Sequence, residues 1–230
     1  MNRRYCVELW AGDSTGLAAA RQREDVVITV EIDPKFNPDI CEDILTVDVD
    51  QIHAALRAKG WDGRQLFYVW ASPDCSVFSV AGFPAGHFKD GVAQTEKAKA
   101  MVRRHIHTLA LIEGLDPLFW TVENPVGLLR KMPWMQSYPR ESITYCSYGD
   151  TRMKPTDLWG GFPATWIARP SCKPNNPRCS HERAPRGSRT GTQALDHRQR
   201  SHIPLELSNE LYAAAIISDE AQRITLQEWI

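Results

Sequence analysis

Ser72-Pro73-Asp74-Cys75-Ser76-Val77 ends a strongly apolar run, Leu66 to Ala71, with a cysteine in a proline-containing loop. In an α/β enzyme this is where a nucleophile is presented, because the strand holds the root of the loop while the loop backbone turns the side chain toward a ligand. A second apolar run, Leu118 to Val122, ends in Glu123-Asn124-Pro125, which puts an acid at the tip of another expected strand. A thiol and a carboxyl at neighbouring strand ends point to covalent catalysis with acid assistance.

The first apolar run leads into Leu9-Trp10-Ala11-Gly12-Asp13-Ser14-Thr15-Gly16 and then an alanine-rich stretch. Small residues there let the backbone approach a ligand near a helix N-terminus. Glu31-Ile32-Asp33-Pro34 closes the second apolar run, where a carboxylate is placed to accept hydrogen bonds from ribose hydroxyls. Cys41-Glu42-Asp43-Ile44 adds a further carboxylate, suited to an adenine amino group. Together these segments indicate a nucleoside cofactor.

To hold these residues the chain needs a sheet. Apolar runs bounded by turn signals, Tyr5 to Trp10, Val26 to Ile32, Leu66 to Ala71, Leu118 to Val122 and Ser142 to Cys146, read as strands. Helical patterning predicts helices over Ser14 to Arg23, Asp50 to Lys59, Gln94 to Glu113 and Pro204 to Ser218, with Ser14 as N-cap of the first and Pro204 in the first turn of the last. Strands alternating with helices predict a mostly parallel α/β sheet covered on both faces, with ligands at the carboxyl ends of the strands. Periodicity fades between Trp159 and His202, which reads as a long loop or small irregular subdomain.

The chain has 230 residues, 43% of them hydrophobic and 24% charged, enough for one core and one main domain. No apolar run is long enough to span a bilayer and the start is too short in apolar residues for a signal peptide, so a cytoplasmic protein with no membrane partner is expected. The six cysteines are then expected to be reduced thiols. Four ligands, Cys146, Cys172, Cys179 and His181, could make a tetrahedral structural zinc site in a segment too poor in apolar residues to fold alone. The overall charge is −1, unevenly spread: Arg169 to Arg200 holds eight Lys or Arg against Glu182 and Asp196, a net +6 that leaves −7 for the rest. A basic arm on an acidic body suits a polyanion partner.

With these motifs in order, the chain resembles the cytosine-5 DNA methyltransferase family, especially its small phage-type members. Glu8-Leu9-Trp10-Ala11-Gly12 is similar to the family's Asp/Glu-Leu-Phe-Ala-Gly motif, Ser72-Pro73-Asp74-Cys75 to its Pro-Pro-Cys loop, and Glu123-Asn124-Pro125 to its Glu-Asn-Val/Pro motif. Asp150-Thr151-Arg152-Met153-Lys154 resembles a shortened Gln-x-Arg-x-Arg element, and Lys154 to Trp159 and Arg200 to Leu207 are similar to segments of the phage branch. The departures are Asp74 for the second proline, Ser14-Thr15 for paired glycines, Lys154 for the second arginine, and a recognition region much shorter than is typical.

The resemblance implies a Rossmann-like fold that takes a methyl group from S-adenosylmethionine to carbon 5 of a cytosine flipped out of duplex DNA. It implies Cys75 as nucleophile, Glu123 as the acid at ring nitrogen 3, and Arg152 as the group that holds the base carbonyl oxygen or orients Glu123. Leu9, Trp10, Ala11, Gly12, Gly16, Glu31, Ile32, Asp43, Ile44 and Ser72 would bind the cofactor, and Ser79, Lys154, Arg183, Arg186 and Arg189 the nucleic acid. Residues 1–158 would form the catalytic core, 159–202 a small target-recognition region and 203–230 a C-terminal helix packing back on the core, in a monomer. Two other readings stand beside this one: the same reaction on RNA, and a catalytically weak protein that binds cofactor and DNA. Asp74 motivates the second, since a carboxylate beside the thiol disfavours the thiolate.

Overall fold

A computed structural model of the chain describes residues 3–174, 176–179, 181–182 and 196–228. Its elements in chain order are β1 (Tyr5–Leu9), α1 (Ala18–Gln22), β2 (Val26–Val30), α2 (Val49–Ala58), β3 (Tyr68–Ala71), the short pair β4 (Phe88–Lys89) and β5 (Val92–Ala93), α3 (Glu96–Leu115), β6 (Phe119–Pro125), β7 (Arg140–Thr144), β8 (Pro155–Gly161), α4 (His197–Ser201) and α5 (Leu205–Glu228). A six-stranded sheet has the order β2-β1-β3-β6-β8-β7. β1, β2, β3 and β6 pair in parallel, and β8 pairs antiparallel to both β6 and β7, so it is the one reversed strand of the six.

Side chains alternate across the sheet as the two-residue strand period requires. Val7, Leu9, Val69 and Ala71 pack with Ile52 and Leu56 of α2 and Met101 and Ile112 of α3, while Cys6, Tyr68 and Trp70 pack on the other face with Ala19 and Ala20 of α1 and Leu207, Leu211 and Tyr212 of α5. The sheet is therefore covered on both faces, the Rossmann-like α/β arrangement expected, with α5 returning to the core. The chain goes from β1 out to β2 and then back past β1 to β3, so the order reverses between β1 and β3. In such sheets a crevice opens at that switch point.

Helix starts follow their caps. Asp48 makes a capping box with Gln51 before α2, and the Thr95 hydroxyl accepts from Ala98 N before α3. Ser14 does not cap α1, contrary to expectation: the helix begins at Ala18, and Ser14 sits at φ +52° with its hydroxyl on the Glu8 carboxylate. The reversed strand β8, read as the start of a loop from Trp159, continues to Gly161; Gly160 and Gly161 hide its strand character, yet a Cβ on Gly160 would fall 2.1 Å from the Trp120 carbonyl oxygen. Helix α5 runs ten residues past the expected Ser218. Among the described residues no helix is long and apolar enough to cross a membrane, and all six cysteines are free.

Candidate active site

A cleft of about 220 Å³ opens at the switch point. Trp10 after β1, Glu31 and Ile32 after β2, Asp43 and Ile44, and Asp74 after β3 line it, with Met101 and Arg104 reaching in from α3. The loop after β1 is wound tightly: Trp10, Gly12 and Ser14 have φ of +58°, +48° and +52°. A bulky residue in that region is held only by its surroundings, here by the Trp10 indole donating to Thr108 Oγ1 of α3 at 3.0 Å. Gly12 N donates to Glu31 Oε2 at 3.1 Å, and Ile32 N and Asp33 N donate to Oε1 at 2.9 and 3.1 Å. Glu31 is thereby fixed at the cleft, with acceptor capacity left on Oε2. Ile32 beside it is 53% exposed, an apolar face suited to the flat side of a base.

Asp43 is less free. Arg104 grips its carboxylate through Nε at 3.1 Å and through a second, short contact, and this guanidinium holds Asp43 below the usual carboxylate range. Not every expected cofactor residue reaches the cleft. Leu9 is fully buried core, Ala11 and Gly12 shape the loop through their backbone, and Ser72 Oγ accepts from the Trp70 indole at 2.8 Å. Gly16 has a packing reason: a Cβ there would lie 2.4 Å from the Trp70 ring, and its N donates to the buried Glu8 at 2.9 Å. Sequence reasoning missed Met101 and Arg104, whose three-residue spacing on a helix puts them on one face.

The thiol and the carboxyl come from adjacent parallel strands, β3 and β6, paired through Ala71 and Val122. Cys75 begins a tight turn, with Phe78 N and Ser79 N both donating to its carbonyl at 3.0 and 2.9 Å, and Asp74 braces it by accepting from Ser76 N at 2.7 Å and Ser76 Oγ at 3.0 Å. The buried Asn124 beside Glu123 donates from Nδ2 to the Pro73 carbonyl at 3.0 Å, and Leu128 N donates to Phe78 O at 2.7 Å. The loop that carries the thiol is thus tied to the strand that carries the carboxyl, and Ser79 sits in that seam, bridged to Gly127. Burial pushes the Cys75 thiol up to about 11; Lys154 pulls it back, while Glu123 and Asp74 push it further.

Glu123 is buried, and its Oε1 accepts from the Tyr145 hydroxyl at 2.8 Å and from Lys154 Nζ at 3.3 Å. Burial raises Tyr145 well above the ordinary phenol range, so it remains a donor. Lys154 also lies 3.3 Å from the Tyr145 hydroxyl and 4.4 Å from the centre of its ring. The cation on Glu123 is therefore Lys154, expected as a nucleic-acid contact, whereas Arg152, expected to hold the base carbonyl oxygen or orient Glu123, lies 5.5 Å from the centre of the Tyr145 ring, pairs with Asp150 and donates to the carbonyls of Gln199 at 2.5 Å and His202 at 3.1 Å. The physical reason is spacing along an extended strip, where residues two apart point the same way only if the backbone stays regular, and Lys154 has φ +21°. Tyr145 went unnoticed because an aromatic at a strand end reads as core; the expectation for Arg183, Arg186 and Arg189 lies outside the described residues.

The atoms Cys146 Sγ, Cys172 Sγ, Cys179 Sγ and a ring nitrogen of His181 all lie within 4.8 Å of one another. This is the set of four expected from the sequence. Cys172 Sγ is 3.7 Å from His181 Nδ1, and Asn176 Nδ2 donates to Cys172 Sγ at 3.4 Å. Burial pushes Cys146 up to about 12, while the backbone N–H of His181 lowers Cys179 to about 7. Three thiols and an imidazole make a donor set that can hold a metal ion.

No protein-family model matches the chain, and no curated protein matches it. Among solved structures it is similar to a presumptive DNA modification methyltransferase encoded within a prophage of E. coli, at 17% sequence identity and a TM-score of 0.49, over 69% of this chain and 46% of that one. The chain spans less than half the length of that protein.

Proposed function

We propose that the chain is an S-adenosylmethionine-dependent cytosine-5 methyltransferase acting on DNA, with Cys75 as nucleophile. The observation that supports this best is a thiol and a carboxyl at the ends of adjacent parallel strands, tied together through Asn124 and Pro73, beside a cleft that Glu31 and Asp43 line. The cleft fits a nucleoside: Glu31 offers acceptors for ribose hydroxyls, Ile32 and Ile44 an apolar wall, and Asp43 an acceptor at its rim. When bound, S-adenosylmethionine supplies an electrophilic methyl group on a sulfonium.

The chain's own residues make the acceptor reactive. Cytosine carbon 5 becomes nucleophilic once the Cys75 thiolate bonds to carbon 6, with the displaced electron pair moving toward ring nitrogen 3. Glu123 places a proton or hydrogen bond at that nitrogen, while Tyr145 and Lys154 hold its carboxyl in register. After methylation, loss of the carbon-5 proton to a base and departure of the thiolate restore the ring. The ring face is out of reach within a duplex, so the base is flipped. The region 159–202 serves as the recognition arm, with Arg183, Arg186 and Arg189 on phosphates, and a structural zinc on Cys146, Cys172, Cys179 and His181 is its resident metal.

One observation favours a second reading, a protein that binds cofactor and DNA with weak catalysis: the thiol is pushed up to about 11, so little thiolate exists at neutral pH. Transfer of labelled methyl from S-adenosylmethionine to duplex DNA, single-stranded DNA and tRNA, with nucleoside analysis of the product, separates the readings. The proposal expects 5-methylcytosine in duplex DNA. Label in tRNA alone, on another atom, or nowhere would contradict it.

A further inference from the structure

We propose that the zinc held by Cys146, Cys172, Cys179 and His181 is a clasp, fastening the basic arm to the strip that carries Tyr145 and Arg152, so that the metal sets where the arm leaves the catalytic rim. This rests on the zinc reading of that cluster. Three soft thiolates and one imidazole favour zinc over hard cations such as magnesium or calcium. Zn–S bonds of roughly 2.3 Å and Zn–N bonds of roughly 2.0 Å put tetrahedral ligand atoms about 3.5–3.8 Å apart. The atoms here already lie within 4.8 Å, so side-chain rotation of about an ångström completes the shell. With four protein ligands no position is open, which marks a structural site and not a catalytic one.

The arm needs such a clasp. Phe162, Trp166 and Ala168 pack against the core, and Ile167 is 85% exposed, but among the described residues from Ser171 to Glu182 no apolar side chain is buried. What fastens residues 171–182 to the body is polar and sits at two places. Near the first, Ser171 Oγ donates to Ser142 O at 2.7 Å and Cys172 N to Thr144 Oγ1 at 2.8 Å; near the second, Glu182 N donates to Thr151 O at 2.7 Å. Each lies within one residue of a ligand, Cys172 or His181. The fourth ligand is on the other side of the seam: Cys146 belongs to a 3-10 turn, Tyr145–Tyr148, whose first residue donates to Glu123. A metal bonded across the seam turns isolated, half-exposed hydrogen bonds into one rigid joint, and it does so one residue from the hydroxyl that braces the acid.

The test uses the whole protein and needs no methyl transfer. Elemental analysis of protein purified without added metal should find about one zinc per chain, kept by Cys41→Ser and lost by Cys179→Ser combined with His181→Ala. Stripping the native protein with a chelator should speed amide hydrogen exchange about tenfold or more at Glu182 and across 145–151, with β1 and β2 unchanged. Protein that binds no metal would sink the zinc reading and the clasp with it. Bound zinc whose removal leaves exchange at 145–151 unaltered would overturn the clasp alone, and so would faster exchange spread evenly through β1 and β2. Neither readout depends on whether the methyltransferase reading holds.

Discussion

At the scale of single residues, Cys75 is set against its own ionisation. Burial, Glu123 and Asp74 all favour the neutral thiol, while Lys154 and a backbone N–H oppose them. Because the thiol titrates at about 11, well above neutral pH, the thiolate fraction grows with each rise in pH. Alkylation of Cys75 by iodoacetamide, followed on its own peptide by mass spectrometry, should therefore accelerate about tenfold per pH unit between pH 7 and 9. A flat profile would show that the thiol is already ionised. Lys154→Met should slow the same reaction roughly tenfold at fixed pH and Asp74→Asn should speed it, since one removes the favourable charge and the other an unfavourable one. These two substitutions also ask whether Asp74 serves mainly to brace the turn through Ser76, because a loss of reactivity in Asp74→Asn would mean that the brace outweighs the charge.

At the scale of elements, the loop after β1 and the turn after β3 are rigid parts that meet on Trp70, whose indole both donates to Ser72 and fills the space beside Gly16. Gly16→Ala would drive a methyl group into that ring, and we expect a loss of about 1–3 kcal/mol in denaturant unfolding; an unchanged midpoint would mean that the loop shifts freely. The strands that carry the chemistry were legible because each ends an unbroken apolar run, as strands buried on both faces do. Reading β8 was harder, since Gly160 and Gly161 mimic a loop until the Trp120 carbonyl is seen pressed against them. Tyr145 and the burial of Lys154 were illegible for a different reason. Both depend on β7 and β8 folding their connection back over Glu123, a tertiary fact with no local pattern. The four metal-cluster residues, by contrast, were readable from residue type alone, because thiols and an imidazole in and just before a segment poor in apolar residues have few structural uses.

At the scale of the whole molecule, charge is divided between a body of net −7 and an arm of net +6 over Arg169 to Arg200. The arm is not wholly free. Arg169 pairs with Glu206 and Glu210, and Arg198 and His202 pair with Asp13 in the loop after β1. The cations that remain for a polyanion are then concentrated in fewer residues than the sequence count suggests. Replacing Arg183, Arg186 and Arg189 together by Ala should lower the slope of log affinity against log salt by roughly 2 to 3 and leave cofactor affinity nearly unaltered. An unchanged slope would put the nucleic acid on another surface, and weakening confined to some sequences would mean that these side chains read bases.

The central claim, that Cys75 attacks a flipped cytosine, is tested most directly by incubating the protein with S-adenosylmethionine and duplex DNA containing 5-fluorocytosine. Fluorine cannot leave carbon 5 as a proton does, so the adduct stalls on the enzyme. The account predicts a denaturation-resistant protein–DNA complex whose crosslinked peptide contains Cys75, absent in Cys75→Ser. An equally abundant complex in Cys75→Ser, or methylation of ordinary cytosine by that variant near the parent's rate, would contradict it.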